Sequence, residues 1–372
     1  MSGGLLGFLL AFLALWLLGM AFTAWRFATR RGAGVAGPLP TPLPRVSILI
    51  AARDEEDALP RCLASLRALN YPAELLEILV GDDASSDRTA AVARAAMQGF
   101  AGQFRVIPIA ENRGMARGKA NVLAHLARQA TTDFFFITDA DISLPATWVG
   151  ALLTHAAPGV GTVTGITAVR GPRLFHRLQG IDWLLSLSMV QVVSDLGRPV
   201  TAMGNNMLVT RAAYEATGGY EALPFSVTED FALFRAVLAA GFGFRQVFQA
   251  DARADSLPIV TWPDLLKQRR RWLRGVAGLP LRLRLELLFF SGLWPALLGV
   301  TVVGGAGLAG GLWAAKMLVQ GLLAYAAHRR AGLRLRWWLL PLFEFYTLVL
   351  TGAILVFQLF GGAVVWKGRR YE

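Results

Sequence analysis

Four short runs in this chain carry side chains whose types and spacing suit chemistry, and they come in a definite order. Asp82-Asp83 follows an apolar stretch and precedes Ala84-Ser85-Ser86-Asp87. A carboxylate there either accepts a hydrogen bond from a base imide, such as that of uracil, or closes an Asx turn or helix N-cap. Asp139-Ala140-Asp141 directly follows Phe134-Phe135-Phe136-Ile137. Two carboxylates two residues apart can share a hard divalent cation, because magnesium is usually held by one or two carboxylates plus phosphates. Thr228-Glu229-Asp230 opens a helical run, Phe231–Ala240. These residues either cap helix amides and meet the dipole, or supply catalytic acids, with Asp230 the base that deprotonates an attacking hydroxyl; the readings are compatible.

The fourth run is Gln268-Arg269-Arg270-Arg271-Trp272, inside a basic amphipathic stretch. Gln268 and Arg271 stand at i, i+3 and share a helix face. Arginine stabilises a leaving diphosphate, and tryptophan offers a flat face to a sugar or lipid-linked acceptor. An interfacial helix anchored to head groups would explain Arg271 and Trp272 but not Gln268. Lys119, after Gly114-Met115-Ala116-Arg117-Gly118, is a candidate phosphate cation at an anion-binding loop. Its spacing is not that of a nucleoside-triphosphatase P-loop. Gly204-Asn205-Asn206 is a turn whose amides either face a diphosphate or acceptor, or simply reverse the chain. Cys62 is the single cysteine, so no disulfide framework or cysteine metal site exists, and it reads as a buried inert thiol. The four histidines are scattered without metal-ligand spacing. Moving a sugar off a nucleotide at a membrane surface would need this set of groups.

The elements that must position them alternate. Short apolar runs at Val46–Ala51, Leu76–Val80, Arg105–Ile109 and Phe134–Thr138 are expected strands. Between them Ala58–Leu69, Arg88–Met97 and Lys119–Gln129 have helical spacing. Strand–helix alternation argues for an α/β, mostly parallel sheet, and acids at the carboxyl ends of its strands sit where open sheets bind ligands.

Composition places this domain at a bilayer. Hydrophobic residues make up 55% of 372, mean hydropathy is +0.47, and the net charge is +12. The arginines cluster beside apolar segments, which favours membrane surface over nucleic acid as the partner. Leu5–Trp25 has 21 residues and reaches ~31 Å as a helix, enough to cross a bilayer. A cleaved signal peptide fits poorly, because the basic residues follow the apolar run. By the positive-inside rule the catalytic domain is expected in the cytoplasm, at a bacterial inner membrane. The expected organisation is a transmembrane helix over 1–31, a linker over 32–44, the α/β domain over 45–263, an amphipathic interface region over 264–286 and a transmembrane region over 287–372. Its spans are expected at Leu287–Ala309, Gly311–Ala327 and Trp337–Trp366. Leu174–Asp195 is long and amphipathic and also suits an interface. The basic stretches His328–Arg336 and Lys367–Arg370 both favour the cytoplasm, so one segment is expected to be re-entrant or interfacial.

The ordered motifs Val46-Ser47-Ile48-Leu49-Ile50-Ala51-Ala52-Arg53-Asp54-Glu55-Glu56, Gly81–Asp87, Gly118-Lys119-Ala120-Asn121, D-A-D, T-E-D and Q-x-x-R-W resemble those of membrane-bound family 2 glycosyltransferases. The resemblance covers about residues 45 to 275 and implies a GT-A (Rossmann-like) fold, a UDP-sugar donor, Mg²⁺ or Mn²⁺, and single displacement with inversion. It implies that Ala52, Glu55 and Asp83 hold the nucleoside and Lys119 the phosphates. Asp139 and Asp141 would form the D-x-D pair, Asp141 nearest the metal, and Asp230 would be the base. Gln268, Arg271 and Trp272 would bind the donor diphosphate and acceptor. Val365–Tyr371 and Glu344 resemble the ceramide glucosyltransferase branch and related bacterial lipid glycosyltransferases. Gln268 instead keeps the form typical of polysaccharide synthases, and Ser256 stands where many synthases carry an acid. About four spans are few for a processive synthase. Transfer of one sugar to a membrane lipid is therefore the expectation, ahead of a small processive synthase and of a non-catalytic nucleotide-sugar-binding scaffold.

Overall fold

The computed structural model describes residues 2–29, 36–276, 279–359, 364–366 and 369–371. The tail residues Lys367 and Gly368, part of the resemblance at Val365–Tyr371, lie outside the described residues. In chain order the elements begin α1 (Ser2–Thr29), β1 (Val46–Ala52), α2 (Leu59–Arg67), β2 (Leu76–Asp82), α3 (Thr89–Ala96), β3 (Gln103–Pro108) and α4 (Lys119–Gln129). There follow β4 (Phe134–Asp139), β5 (Ile142–Ser143), α5 (Trp148–Leu153), β6 (Val160–Thr164), β7 (Ile166–Val169) and α6 (Leu174–Asp195). Next come β8 (Asn206–Thr210), α7 (Arg211–Ala216), α8 (Gly219–Ala222), α9 (Glu229–Ala239), β9 (Gly243–Gln246) and β10 (Arg253–Ser256). The chain continues through α10 (Trp262–Val276), α11 (Leu281–Ser291), α12 (Leu293–Gly304), α13 (Ala306–Arg330), α14 (Leu339–Leu359) and the ribbon β11 (Val364–Trp366) with β12 (Arg369–Tyr371).

These elements form two compact units. One comprises residues 32–171, 194–258 and 363–372 and is built on a seven-stranded sheet of order β3-β2-β1-β4-β8-β6-β9. The strands β3, β2, β1 and β4 run parallel, as the sequence predicts; β8 runs antiparallel to β4 and β6, and β9 parallel to β6. Strand β1 shows why the sheet is covered on both faces. Val46, Ile48 and Ile50 enter one core with Leu59, Leu63 and Trp148, while Leu49 enters the other with Leu123, Phe135 and Phe234. A side-chain period of two sends alternate residues to opposite faces. The second sheet, β5-β10-β7, is small and was not foreseen from the sequence.

The other unit comprises residues 1–31, 172–193 and 259–362 and is helical. It takes in Pro172–Val193, which the sequence reading had placed inside the α/β domain. Four helical runs are long and apolar enough to cross a membrane among the described residues: Gly3–Thr29, Leu281–Gly304, Ala306–Arg330 and Leu339–Phe357. Two boundaries differ from the expected spans. Leu281–Glu286, read as interfacial, starts the second run, and Val364–Trp366, expected inside the last span, is a strand. Helix α1 packs on α12, where Phe12 lies 2.8 Å from the position a Cβ on Gly292 would take, and Trp16 donates to the Phe290 carbonyl at 3.2 Å. Between α13 and α14, Glu344 accepts hydrogen bonds from Lys316, from Gln320 at 3.0 Å and from Trp313 at 3.3 Å. A charge in an apolar environment is tolerated when it is paired and its lone pairs are satisfied.

Candidate active site

The parallel register explains the clustering of the acids. Ala52 pairs with Asp82 across β1 and β2, and Ala51 with Asp139 across β1 and β4, so three strand ends line one edge. The loops leaving β1 and β2 are then laced together. Asp54, at φ +51°, accepts from the Ser86 amide at 2.7 Å, and its own amide donates to Ser85 Oγ at 3.0 Å. The Glu55 amide donates to Thr89 Oγ1 at 2.8 Å. Asp83 is buried, its amide donates to the Ala52 carbonyl at 2.9 Å, and Arg53 donates to its carbonyl at 2.8 Å. The Asp82 carboxylate accepts from the Ser85 amide at 3.1 Å, so Asp82 makes the Asx turn and Asp83 stands beside Ala52.

Lys119 joins the motifs. It begins α4 directly after Gly118, which has φ +56°. Its ammonium lies 2.5 Å from Asp139 Oδ1 and 2.9 Å from Glu229 Oε1. Burial works against its charge, but the carboxylates of Asp139, Glu229 and Asp230 outweigh that and hold it well above its usual range. The glycine-lysine loop, the D-A-D triplet and the T-E-D triplet thus meet at one side chain. Asp141 is pushed up to about 6, first by burial and then by the nearby charges of Asp139 and Glu55. No group of three or more His, Cys, Asp or Glu gathers as a metal cage among the described residues. Two crowded carboxylates, one of them resisting ionisation, nevertheless fit a hard divalent cation that completes its coordination with water and phosphate.

Asp230 is held by backbone. Its Oδ2 accepts from the Gly204 amide and its Oδ1 from the Phe231 amide, both at 2.8 Å. Burial and the Glu229 charge push its carboxyl up to about 6, against the pull of Lys119 and of those two amides. The sequence left Gly204 as a turn; its amide is committed to Asp230, and a Cβ there would stand 2.6 Å from the Asp230 Cβ. The turn signal was visible, but its target 26 residues away was not. Asn206 is a structural pin instead: fully buried, it accepts from Trp148 at 2.8 Å and donates to the carbonyls of Ile166 and Ala252. Thr228 precedes α9 without a side-chain cap bond; its hydroxyl lies 3.1 Å from Ser226 Oγ. The helix-capping reading of that threonine is therefore corrected. Cys62 is buried, and burial lifts its thiol pKa, which makes it inert.

Gln268, Arg271 and Trp272 lie on α10 in the helical unit. The Trp272 ring stacks on Trp183 of α6, with centroids 4.7 Å apart. The Arg269 guanidinium sits 4.6 Å from the Trp272 ring centroid and pairs with Asp182. Asp182 and Trp183 were not singled out in the sequence. Their signal was an acid and a tryptophan side by side within an otherwise mostly apolar helix.

A family model described as glycosyl transferase family 21 matches residues 11–372. The chain belongs to that family, and so to the family 2 glycosyltransferases. This family 21 chain is similar to the beta-monoglucosyldiacylglycerol synthase of Synechocystis, with 25% identity over 63% of the chain and 48% of the relative. It is 30% identical to a probable glycosyltransferase of Bacillus subtilis, over 63% of the chain and 55% of the relative. A poly-beta-1,6-N-acetyl-D-glucosamine synthase of Staphylococcus aureus is 26% identical over 62% and 54%. The chain spans about half the length of the curated relatives it matches. Its fold is like that of a mannosyltransferase from Pyrobaculum calidifontis solved with GDP-Man and Mn²⁺: TM-score 0.56 and 20% identity, covering 89% of this chain and 99% of the other. The GT-A fold expected from the motifs is the fold observed.

Proposed function

We propose that this family 21 glycosyltransferase moves one sugar, with inversion, from a UDP-sugar to the hydroxyl of a membrane lipid at the cytoplasmic face of a bacterial inner membrane. The observation that carries the reading is the Lys119 junction, which ties Asp139 of the proposed D-x-D pair to the T-E-D triplet that holds the proposed base. Ala52, Glu55 and Asp83 line the nucleoside end, with Asp82 shaping the turn behind it. Asp141 and Asp139 would hold Mg²⁺ or Mn²⁺, which supplies charge to neutralise a departing diphosphate. Lys119 adds a positive charge at the same edge. Asp230, fixed by two amides, takes the proton from the acceptor hydroxyl as that oxygen bonds to the anomeric carbon and the bond to the diphosphate breaks. Glu229 holds Lys119 in place. Gln268, Arg271 and Trp272, on α10 of the helical unit, would bind the donor diphosphate and acceptor; within that unit Trp183 stacks on Trp272.

The relative named as a glucosyldiacylglycerol synthase supports a lipid acceptor, as do four helices of membrane-crossing length. A second reading, a small processive synthase, is favoured by the relative named as a poly-N-acetylglucosamine synthase and by Gln268. The test incubates the purified protein in lipid nanodiscs with UDP-hexoses, Mg²⁺ or Mn²⁺, and ceramide, diacylglycerol or polyprenyl acceptors. Mass spectrometry is expected to find lipid carrying one hexose. Long polymer without a monoglycosylated lipid would overturn the single-transfer reading in favour of the synthase.

A further inference from the structure

One face of α10 is keyed to α6 at three points within the helical unit. Trp262, Arg269 and Trp272 recur at i, i+7 and i+10, which puts them on one side of the helix. Trp262 packs on Phe175, with ring centroids 5.0 Å apart. Arg269 pairs with Asp182, and its guanidinium lies 4.6 Å from the Trp272 ring centroid and 5.9 Å from that of Trp183. Trp272 and Trp183 stack, their planes 30° apart. From another side, the Arg270 guanidinium sits 5.2 Å from the Phe357 ring of α14. Burial outweighs the pull of Arg269 and keeps the Asp182 carboxyl above its usual range, so the pair contributes little to stability. What a guanidinium on a carboxylate adds is a fixed direction. Gln268 and Arg271 lie on the adjoining face of the same helix, so its rotation decides where they point. A rotation of about 10° moves a group about 6 Å from the helix axis by about 1 Å.

We propose that Asp182 and Trp183 are positioning residues for the transfer: by holding Arg269 and Trp272 they fix the rotation of α10, and with it the placing of Arg271 against the leaving diphosphate. The inference rests on the transferase reading above. Misplacing a catalytic group by an ångström costs a reaction roughly 100-fold.

The test uses the full chain in nanodiscs, with whichever of UDP-glucose, UDP-galactose or UDP-N-acetylglucosamine gives transfer. Asp182→Asn removes the charge but keeps the shape; Trp183→Leu removes the stack and leaves every charge in place. In each variant kcat is expected to fall roughly 10- to 100-fold. UDP affinity, measured by calorimetry, should be unchanged, because the proposed nucleoside-binding residues belong to the other unit. In an Arg271→Gln background, Asp182→Asn should cost about threefold or less, since the group it positions is gone. Weakened UDP binding, undiminished kcat, or an equal loss with and without Arg271 would each overturn the proposal. Hydrogen exchange separates the two readings. If the wild type transfers no sugar from any donor, the transferase reading fails, and the hold on α10 is judged by the amides of Gln268–Trp272. In Asp182→Asn these should exchange roughly tenfold faster, the worth of one charge-assisted hydrogen bond, while those of α4 do not change. Unaltered exchange in α10 would overturn the positioning role.

Discussion

Asp230→Asn tests the proposed base, because asparagine cannot accept the acceptor's proton; its single oxygen serves only one of the Gly204 and Phe231 amides, which bond to different oxygens of the native carboxylate. The native carboxyl is pushed from 3.8 to about 6 by burial and by Glu229. Two pKa units correspond to about 3 kcal/mol of disfavour for the charged form. Only the ionised form can act as a base, so kcat/KM is expected to be flat above pH 6 and to fall tenfold per unit below it. The variant should bind donor normally, lose roughly 10²-fold or more in turnover, and lose the acid limb. Stability runs in the opposite sense. The native state binds more protons than the unfolded chain between pH 4 and pH 6, so the wild type loses stability as pH rises through that window. The stability of Asp230→Asn relative to the wild type should therefore rise between pH 4 and pH 8 by up to about 3 kcal/mol, on top of a pH-independent cost for the amide that its NH2 leaves unpaired. Initial rates in nanodiscs from pH 4.5 to 8.5, with melting curves at both ends, measure all of this. Wild-type turnover in the variant would refute the base assignment. An acid limb that persists in the variant would move the titration to Asp141, whose carboxyl is also pushed up to about 6.

Other perturbations test neighbouring parts of the argument. Gly204→Ala places a methyl group 2.6 Å from the Asp230 Cβ, so kcat should fall about 10²-fold while UDP affinity is kept; unchanged kcat would show that the carboxylate does not need that seat. Lys316→Met alone strands Glu344 between α13 and α14 and should cost about 3–5 kcal/mol, measured by unfolding in detergent; Lys316→Met with Glu344→Leu should recover most of it. Equal losses in the single and double variants would refute pairwise compensation. Cys62 is buried beside the Asp139 carbonyl and should resist a maleimide until the protein is denatured; rapid labelling of the native protein would contradict its burial.

What could be read without coordinates was what the chain encodes locally. Strands β1, β2 and β4 are mostly apolar runs separated by helical segments, as covering a parallel sheet on both faces demands, while β3 alternates because it is an edge strand. Acids placed after β2 and β4 must then share an edge with the end of β1, because parallel strands align their carboxyl ends. The apolar length of α1 is equally local. Strands β8, β9 and β10 were missed because they are short and take their identity from partners: Asn206–Thr210 pairs with Phe134–Thr138 some seventy residues earlier. The partners of the chemical groups were hidden for the same reason. Lys119 reads as a phosphate cation in the sequence, and only the fold brings Glu229, at the start of α9, to it from 110 residues away. Motif order pointed to the family, and apolar length to helices long enough to cross a membrane. Tertiary structure alone decided that Gly204 seats Asp230 and that Trp183 backs Trp272, since hydrogen bonds and stacked rings depend on distances in space that sequence separation does not encode.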